Sequence, residues 1–320
     1  MEHYKNVKKT AFDFDRISRY FAAVDHRDAF QVLPDNVLKD VDFEELFMYL
    51  DRTCSNIGQQ YLYATLRTLP KTRDRHRRLE KTIKFLDANA EIKEAVVLQL
   101  SRLNKPGAYY LQSLIYGADL AKPQWFWIIP LLSGLSVATV LLSFVFPALV
   151  PVLIPLLCVN LMFHLWNKGN VLTYSNSIPQ LLVLHQVAKK LIDWRVVTED
   201  ADLVRKSNNA IGHISRMAFF YRLESRLASD IGQAVEYVLD LIKATFLVEP
   251  LLLFNIIDRL SSIKPDIHRV FIAVARIDVA LSIAALREFL PYYAVPQLTD
   301  ERDFHRHLSP AHSGPRGQRP

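Results

Sequence analysis

The sequence of 320 residues is long enough to bury a substantial core, so its size requires neither disulfides nor a structural metal. Its two cysteines, Cys54 and Cys158, lie far apart, which argues against a disulfide framework or a cysteine-based zinc site and suits a reducing compartment. A formal net charge of +6 is mild for this length and is compatible with contact to phosphates, on lipid or on nucleic acid. The N-terminal stretch MEHYKNVKKTAFDFD is charged throughout and lacks the apolar run of a signal peptide, so we expect most of the chain in the cytoplasm.

The N-terminal part, residues 1–121, has the pattern of several amphipathic helices and no competing strand pattern. In DVDFEELFMYLDRT the apolar residues recur at the helical spacing i, i+3, i+4 and i+7, at Phe43, Leu46, Phe47 and Leu50. Asp42 and Glu45 have the spacing of a capping box at the start of this helix. Thr53 or Ser55 is available to cap a second helix directly after it. Helices are therefore predicted throughout this part.

The middle of the chain contains a long uncharged segment. From residue 123 to residue 167 there is no Asp, Glu, Lys or Arg, and a proline divides the segment into two apolar runs, residues 125–146 and 148–166. As helices the runs would be roughly 33 Å and 28 Å long, close to a hydrocarbon thickness of about 30 Å. Tryptophans stand at the outer ends and a lysine lies just beyond each, which favours cytoplasmic flanks. Residues 122–168 are therefore predicted to form a membrane hairpin in a multi-pass protein of the cytoplasmic, or inner, membrane.

Three geometries of this hairpin are compatible with the sequence. Pro147, Pro151 and Pro155 weaken the second helix, and the turn has no polar group to face water. A re-entrant hairpin that enters the bilayer and returns is therefore an alternative to two full crossings. A hairpin buried in the core of a soluble protein has a similar composition. In both membrane geometries the two soluble parts lie in the cytoplasm.

The C-terminal part, residues 169–300, is also predicted to be helical. Helices are expected at residues 177–192, 201–229 and 265–290, with an apolar passage at residues 231–260. Within that passage, LVEPLLLFNII is too short to span a membrane and contains Glu249 and Pro250, which predicts a buried or kinked helix. One face of the last helix is apolar, with Val274, Ile277, Leu281 and Ala284.

Two stretches near the ends of the chain carry the motifs of one family. The first, FEELFMYLDRTCSNIGQQYLYATLRTLP, contains Leu50, Asp51, Arg52, Thr53, Gly58, Leu62 and Pro70. The second, HRVFIAVARIDVALSIAALREFLPYYAVPQL, contains Ile277, Asp278, Ser282, Ala284, Tyr293 and Pro296. At these positions the sequence resembles the first and last parts of the helical core domain of the MutS mismatch-repair family, and its form at residues 62–67 is closer to the divergent, membrane-associated branch. The resemblance brackets residues 40–298, but the hairpin and residues 170–262 match only as generic helices.

The resemblance implies an all-α fold, a helical MutS-core-like body with its lever and with an inserted two-helix transmembrane or re-entrant hairpin. The family couples ATP hydrolysis, with Mg, to lever movements around DNA, which implies DNA binding and a homodimer. The sequence contains no G-x-x-x-x-G-K-[ST], so the ATP-binding domain is missing here and we expect no ATPase activity from this chain alone. Residues 301–320 are rich in Pro, Gly, His and Arg, and we expect either a frameshift near Asp303 in a truncated copy or a natural disordered tail.

A basic run is the best candidate for contact with phosphate. It consists of Arg67, Lys71, Arg73, Arg75, Arg77, Arg78 and Lys81, against Asp74 and Glu80. A solvated helix face, contact with anionic lipid beneath the hairpin, and contact with the DNA backbone are the three interpretations. No nucleophile with an adjacent base and no carboxylate pair is indicated, so no catalytic residue is predicted. No metal site is predicted either, because the tail histidines His305, His307 and His312 have no carboxylate partner.

The sequence therefore predicts a membrane-tethered MutS-like core protein, related to DNA mismatch repair, that binds and positions partners. The alternative is a membrane-anchored helical scaffold that binds anionic lipid or protein partners and no nucleic acid. DNA retention with a steep salt dependence would favour the first prediction, and salt-sensitive binding to anionic vesicles alone would favour the second.

Overall fold

The protein is described by a computed structural model that covers residues 8, 11–72, 74–117, 124–175, 177–197, 200–217 and 241–294. This part of the chain is mostly helical, which confirms the prediction of an all-α protein at that level. The chain divides into two compact units. Unit 1 comprises Met1–Asn104, Leu191–Glu199 and Ala273–Pro320, and unit 2 comprises Lys105–Lys190 and Asp200–Ile272.

Seven helices and two short strands precede residue 101 in unit 1, within its described ranges. The helices are α1 (Phe14–Ile17), α2 (Arg19–Ala23), α3 (Asp35–Asp40), α4 (Phe43–Leu50), α5 (Asn56–Arg67), α6 (Asp74–Ala88) and α7 (Ala90–Leu100), and the strands are β1 (Ala29–Val32) and β2 (Thr68–Pro70). The strands pair antiparallel, with Val32 opposite Thr68 and an irregularity between Ala29 and Gln31. The expectation that this part contains no strand was wrong, because pairs of three or four residues are too short to produce a recognisable alternation.

Helices α4 and α5 lie where the apolar spacing predicted them, but the start of α4 differs. Asp42 has φ 46° and ψ 53°, in the left-handed region, and its side chain caps nothing. A side-chain cap needs extended backbone at the capping residue, so the predicted capping box of Asp42 and Glu45 was wrong. Ser55 is extended and its hydroxyl accepts a hydrogen bond from the backbone N–H of Gly58, which selects Ser55 over Thr53 as the cap of α5. Leu46, predicted on the buried face of α4, is exposed, while Phe43 and Phe47 are buried.

Unit 2 begins with short helical turns and continues with long helices. They are α8 (Leu111–Tyr116), α9 (Ile128–Ser143), α10 (Val150–Ser175), α11 (Ser177–Asp193), α12 (Ala201–Met217), a helical stretch at residues 241–246, α13 (Val248–Ser262) and α14 (Lys264–Phe289). The last turn of α11 belongs to unit 1, as does α14 from Ala273 onward.

Helix α14 supplies the centre of the unit 1 core. All four apolar residues predicted on its buried face are buried, at Val274, Ile277, Leu281 and Ala284. Ala280 and Ala284 pack against Ile83 of α6, with Leu79 and Ile283 at the edge of this cluster. Because the α14 residues at this contact are small, α6 and α14 pack closely against each other.

Some predicted features lie outside the described residues. They are Arg73, the second half of the helix expected at residues 201–229, residues 231–240, Pro296, and the tail with Asp303, His305, His307 and His312. The predictions on these residues, and on the domain boundaries at residues 121, 168 and 300, stay predictions.

Candidate functional site

The two sequence stretches that resemble one family meet at Asp278, and we call this contact the carboxylate junction. Asp278 of α14 is fully buried, and its carboxylate accepts hydrogen bonds from the backbone N–H groups of Cys54 and Ser55 at 2.7 Å and 2.8 Å. The hydroxyl of Ser55 also donates to it. These amides belong to the N-terminal end of α5, where a negative charge is favoured by the free N–H groups and the helix dipole. Asp278 therefore ties the start of α5 to the middle of α14.

The absence of a side chain at Gly58 makes room for the carboxylate. A Cβ atom built on Gly58 would lie 2.0 Å from Oδ2 of Asp278 and 2.5 Å from its Cγ. Ordinary carbon–oxygen contacts are far longer, so a larger residue would have to displace the carboxylate. The glycine of the first motif and the aspartate of the second are thus required by the same contact.

A second buried carboxylate, Asp51, organises the turn between α4 and α5. It accepts hydrogen bonds from the N–H and hydroxyl of Thr53 at 2.9 Å and 2.6 Å, and from Nε2 of Gln59 at 2.6 Å. Nζ of Lys8 lies 2.8 Å from Oδ2 of the same residue and also donates to Thr53. The Asp and Thr of the Leu-Asp-Arg-Thr motif therefore act together to shape the turn.

The arginine of this motif, Arg52, is buried and packed against aromatic rings. Its guanidinium carbon lies 4.9 Å from the ring centre of Phe289 and 5.7 Å from that of Tyr49, and Nη1 donates to the carbonyl of Tyr49. The backbone N–H of Arg52 donates to the hydroxyl of Ser282, 2.9 Å away. Burial lowers the pKa of Arg52, and the rings partly replace its lost hydration.

The electrostatics of the junction indicate a structural role. Burial raises the pKa of Asp278 from 3.8 to about 6, although the hydrogen bonds from Ser55 and Cys54 and the charge of Lys8 oppose this shift. Burial, followed by the negative charge of Asp278, also raises the pKa of the Cys54 thiol, so it is a poor nucleophile. With no activated nucleophile next to it, the junction holds helices together and has no arrangement for covalent chemistry.

The apolar hairpin, residues 125–165, is the second feature of interest. Two helices are long and apolar enough to cross a membrane, Trp125–Ser143 and Pro147–Leu165, with mean hydropathies of 1.9 and 2.2. Only 17% and 11% of the apolar stretches of these two helices are buried, whereas a helix in the core of a soluble protein would be mostly buried. Apolar side chains at the turn are the most exposed, with Phe144 83% and Val145 68% accessible. The composition and exposure fit a lipid-facing surface, and the number of crossings stays a prediction.

The structure confirms the break between the two apolar runs and extends the second helix. Helix α9 ends at Ser143, a short turn spans Pro147–Leu149, and α10 runs on to Ser175, beyond the predicted end at residue 166. Pro151 lies in the first turn of α10, where its missing N–H is not needed. The apolar pattern marks the apolar length and not the end of the helix, because the polar residues that follow can also be helical.

Polar side chains inside the hairpin bond to a third helical segment. Nδ2 of the fully buried Asn160 donates to Oγ of Ser136 on α9 at 2.7 Å and to the carbonyl of Thr245 at 2.6 Å. Oγ of Ser133 donates to the carbonyl of Phe246 at 2.7 Å. The next residue, Leu247, has φ 50° and separates the helical stretch at 241–246 from α13, which confirms the predicted kink. The two carbonyls next to this break are thus satisfied by side chains of the hairpin.

The basic run does not form one surface. Arg67 lies over the ring of Phe21, 4.1 Å from its centre, and pairs with Asp35 at 2.7 Å. Nζ of Lys71 donates to the carbonyl of Arg27. Arg77 and Lys81 are exposed on α6, and Arg73 lies outside the described residues.

Two members of the run, Arg75 and Arg78, line a cleft together with Arg276 of α14. Arg276 was not predicted as part of this site, because it lies about two hundred residues from the basic run. Only a prediction of how α6 and α14 pack would have placed Arg276 next to Arg75 and Arg78. Among the described residues, no group of three or more His, Cys, Asp or Glu side chains is placed to hold a metal.

Comparison of the chain with models of protein families, with curated proteins and with solved structures finds no match.

Proposed function

We propose that this chain is a membrane-anchored helical module, similar to the MutS core, that binds and positions partners, DNA among them, at the cytoplasmic face of the membrane. The carboxylate junction carries this proposal. The two motif stretches are joined by buried hydrogen bonds, from the backbone of Arg52 to Ser282 and from the backbone of Cys54 and Ser55 to Asp278. If the two motifs matched the family by chance, their residues would not be expected to contact each other in the structure.

Anchoring is supported by the apolar hairpin. Its two helices are of bilayer length and mostly uncovered, and an exposed apolar band of this size would aggregate in water. Its polar residues Ser133, Ser136 and Asn160 face protein partners, as polar groups at membrane depth must.

A role in positioning, and not in catalysis, follows from the chemistry of the site. The 320 residues contain no P-loop, so ATP hydrolysis coupled to this module would be carried out by residues outside this sequence. The buried charges of unit 1 stiffen the contact between α5 and α14, which suits a body that transmits movement.

Anchoring and topology are tested by cysteine labelling in intact cells. In a Cys158→Ala background, a membrane-impermeant maleimide is applied to Ala148→Cys, in the turn of the hairpin, and to the control Lys39→Cys, an exposed position of unit 1. We expect both variants to stay in the membrane after carbonate extraction, with Ala148→Cys labelled from outside and Lys39→Cys labelled only after permeabilisation. Absence of outside labelling at position 148 would indicate the re-entrant hairpin, and release by carbonate would refute anchoring.

DNA binding is tested with the full chain in nanodiscs of neutral lipid. Fluorescence anisotropy of a labelled duplex is measured between low and physiological salt, and empty nanodiscs serve as the control. We expect an affinity that falls steeply with salt, since contacts with phosphates release counterions. If the duplex is not bound, and anionic vesicles are bound in a salt-sensitive way, the module is a membrane scaffold without a nucleic-acid partner.

A further inference from the structure

Unit 1 contains a cleft with a concentration of positive charge, which we call the arginine cleft. It lies between α5, α6 and α14 and has a volume of about 80 Å³. Arg75, Arg78 and Arg276 line it, together with the hydroxyl-bearing side chains of Tyr61, Thr65 and Thr82. No carboxylate is among its lining residues. The hydroxyl of Thr82 donates to the carbonyl of Arg78. The three guanidinium groups and the hydroxyls of Tyr61 and Thr65 are a suitable set of donors for an anion.

The charges of Arg75 and Arg276 are not neutralised within the described part of the chain. Arg75 donates from Nη1 to the carbonyl of Thr68 at 3.2 Å, while its Nη2 is buried and has no hydrogen-bond partner there. Arg276 donates from Nε to the hydroxyl of Tyr61 at 3.2 Å and forms no ion pair with a described residue. Burial lowers the pKa of Arg75, and the charge of Arg276 lowers it further, so the two cations are close enough to repel.

Four acidic residues of the same helices are engaged elsewhere. Glu80 of α6 forms a two-pronged ion pair with Arg287. Asp87 and Glu288 both pair with Lys93 of α7, at 2.9 Å and 2.7 Å. Asp278, two residues beyond Arg276, is bound to α5 at the carboxylate junction. Charge repulsion and an unpaired buried N–H both destabilise the empty cleft, and an anion would relieve both.

We propose that the arginine cleft binds a phosphate group that is carried on a small apolar or aromatic body. A phosphate group has three terminal oxygens and close to two negative charges, so it can bind several guanidinium groups at once, whereas a carboxylate has two oxygens and one charge. The cleft also has an apolar side, formed by Leu79, Val279 and Ile283. Inorganic phosphate alone would leave this apolar side uncovered. A second cleft of about 190 Å³ adjoins it, since Tyr61, Thr65 and Arg75 line both, so the body of the ligand has space beside the phosphate.

The site does not depend on the proposed DNA-positioning function, because it is a small cleft and not an extended surface that follows a duplex. The phosphate group could come from a lipid headgroup or from a soluble phosphate ester. Both sources present the same chemistry to the three arginines, and the experiment distinguishes them.

The test uses the full chain in neutral phosphatidylcholine nanodiscs and isothermal titration with phenyl phosphate, inorganic phosphate and phenol. We expect phenyl phosphate to bind more tightly than inorganic phosphate, and phenol not to bind. Arg276→Gln and Arg78→Gln should each weaken phenyl phosphate binding about tenfold or more, the effect of losing one charge-assisted contact. Arg77→Gln is the matched control, because Arg77 is an exposed arginine of the same helix that does not line the cleft.

Two results would contradict a phosphate site in the arginine cleft. If Arg77→Gln weakens binding as much as Arg276→Gln, the effect is one of general charge and there is no site. If phenyl phosphate fails to bind at millimolar concentration to the folded wild-type protein, the cleft is not a phosphate site. To identify the source of the phosphate group, phosphatidic acid is added to the nanodiscs. If its headgroup competes and weakens the binding of phenyl phosphate, the natural ligand is a lipid headgroup. If the binding of phenyl phosphate does not change, the natural ligand is a soluble phosphate ester.

Discussion

Replacing Gly58 by alanine tests the carboxylate junction directly. The new methyl group would lie 2.0 Å from Oδ2, 2.5 Å from Cγ and 2.7 Å from Cβ of Asp278. The aspartate is fully buried and held by three donors, so it cannot move away without breaking hydrogen bonds to Cys54 and Ser55.

The expected loss of stability follows from three terms. Overpacking in a buried site destabilises by about 1–3 kcal/mol. Each hydrogen bond lost by a buried charged group adds about 1.5–3 kcal/mol. The higher helix propensity of alanine offsets about 1 kcal/mol of this. We therefore expect Gly58→Ala to lower the free energy of unfolding by about 3 kcal/mol.

Urea titration of the full chain, followed by far-UV circular dichroism, measures this difference. Gly134→Ala is the matched control, since Gly134 lies in α9 and its added Cβ would meet nothing within 4 Å. We expect the control to be as stable as the wild type or up to about 1 kcal/mol more stable, because alanine has the higher helix propensity. Equal stability of Gly58→Ala and the wild type would refute the close approach of Gly58 to Asp278, and with it the geometric link between the two motifs.

Two further predictions concern charge in unit 1. Because burial raises the pKa of Asp278 to about 6 from 3.8, the folded state keeps a proton that the unfolded state releases, so the free energy of unfolding should fall by roughly 3 kcal/mol as pH rises from about 4 to 6. Asp278→Asn should flatten this part of a pH series of urea titrations, and an unchanged slope would contradict the assignment. Arg287→Ala, which removes the half-buried partner of Glu80, should destabilise by about 1–3 kcal/mol. Arg27→Ala, which removes an exposed pair with Asp25, should have no measurable effect in the same urea titrations.

The sequence predicted features that depend on local pattern. Apolar spacing placed α4 and α5, the face of α14 and the break in the hairpin, because burial and helix geometry repeat over several turns. The kink near Leu247 was also predictable, since Pro250 interrupts an apolar stretch.

Features set by single residues or by distant contacts were not predictable in the same way. The left-handed backbone at Asp42 removes a cap that its sequence spacing favours, and the pairing of β1 with β2 involves too few residues to leave a pattern. The roles of Asp278 and Arg276 depend on contacts with residues more than two hundred positions away. A residue type indicates that a charge is present, but only packing shows whether a partner neutralises it.

The contact of Asn160 with Thr245 has a consequence for the order of synthesis. Asn160 and Thr245 are 85 residues apart, so at about 5–20 residues per second the hairpin leaves the ribosome several seconds before its third helical partner. During that interval Ser136, only 24 residues from Asn160, is the partner already available to it. The hairpin thus contains one acceptor for Asn160 from the start, and the later segment docks onto a pair of helices that this hydrogen bond already aligns.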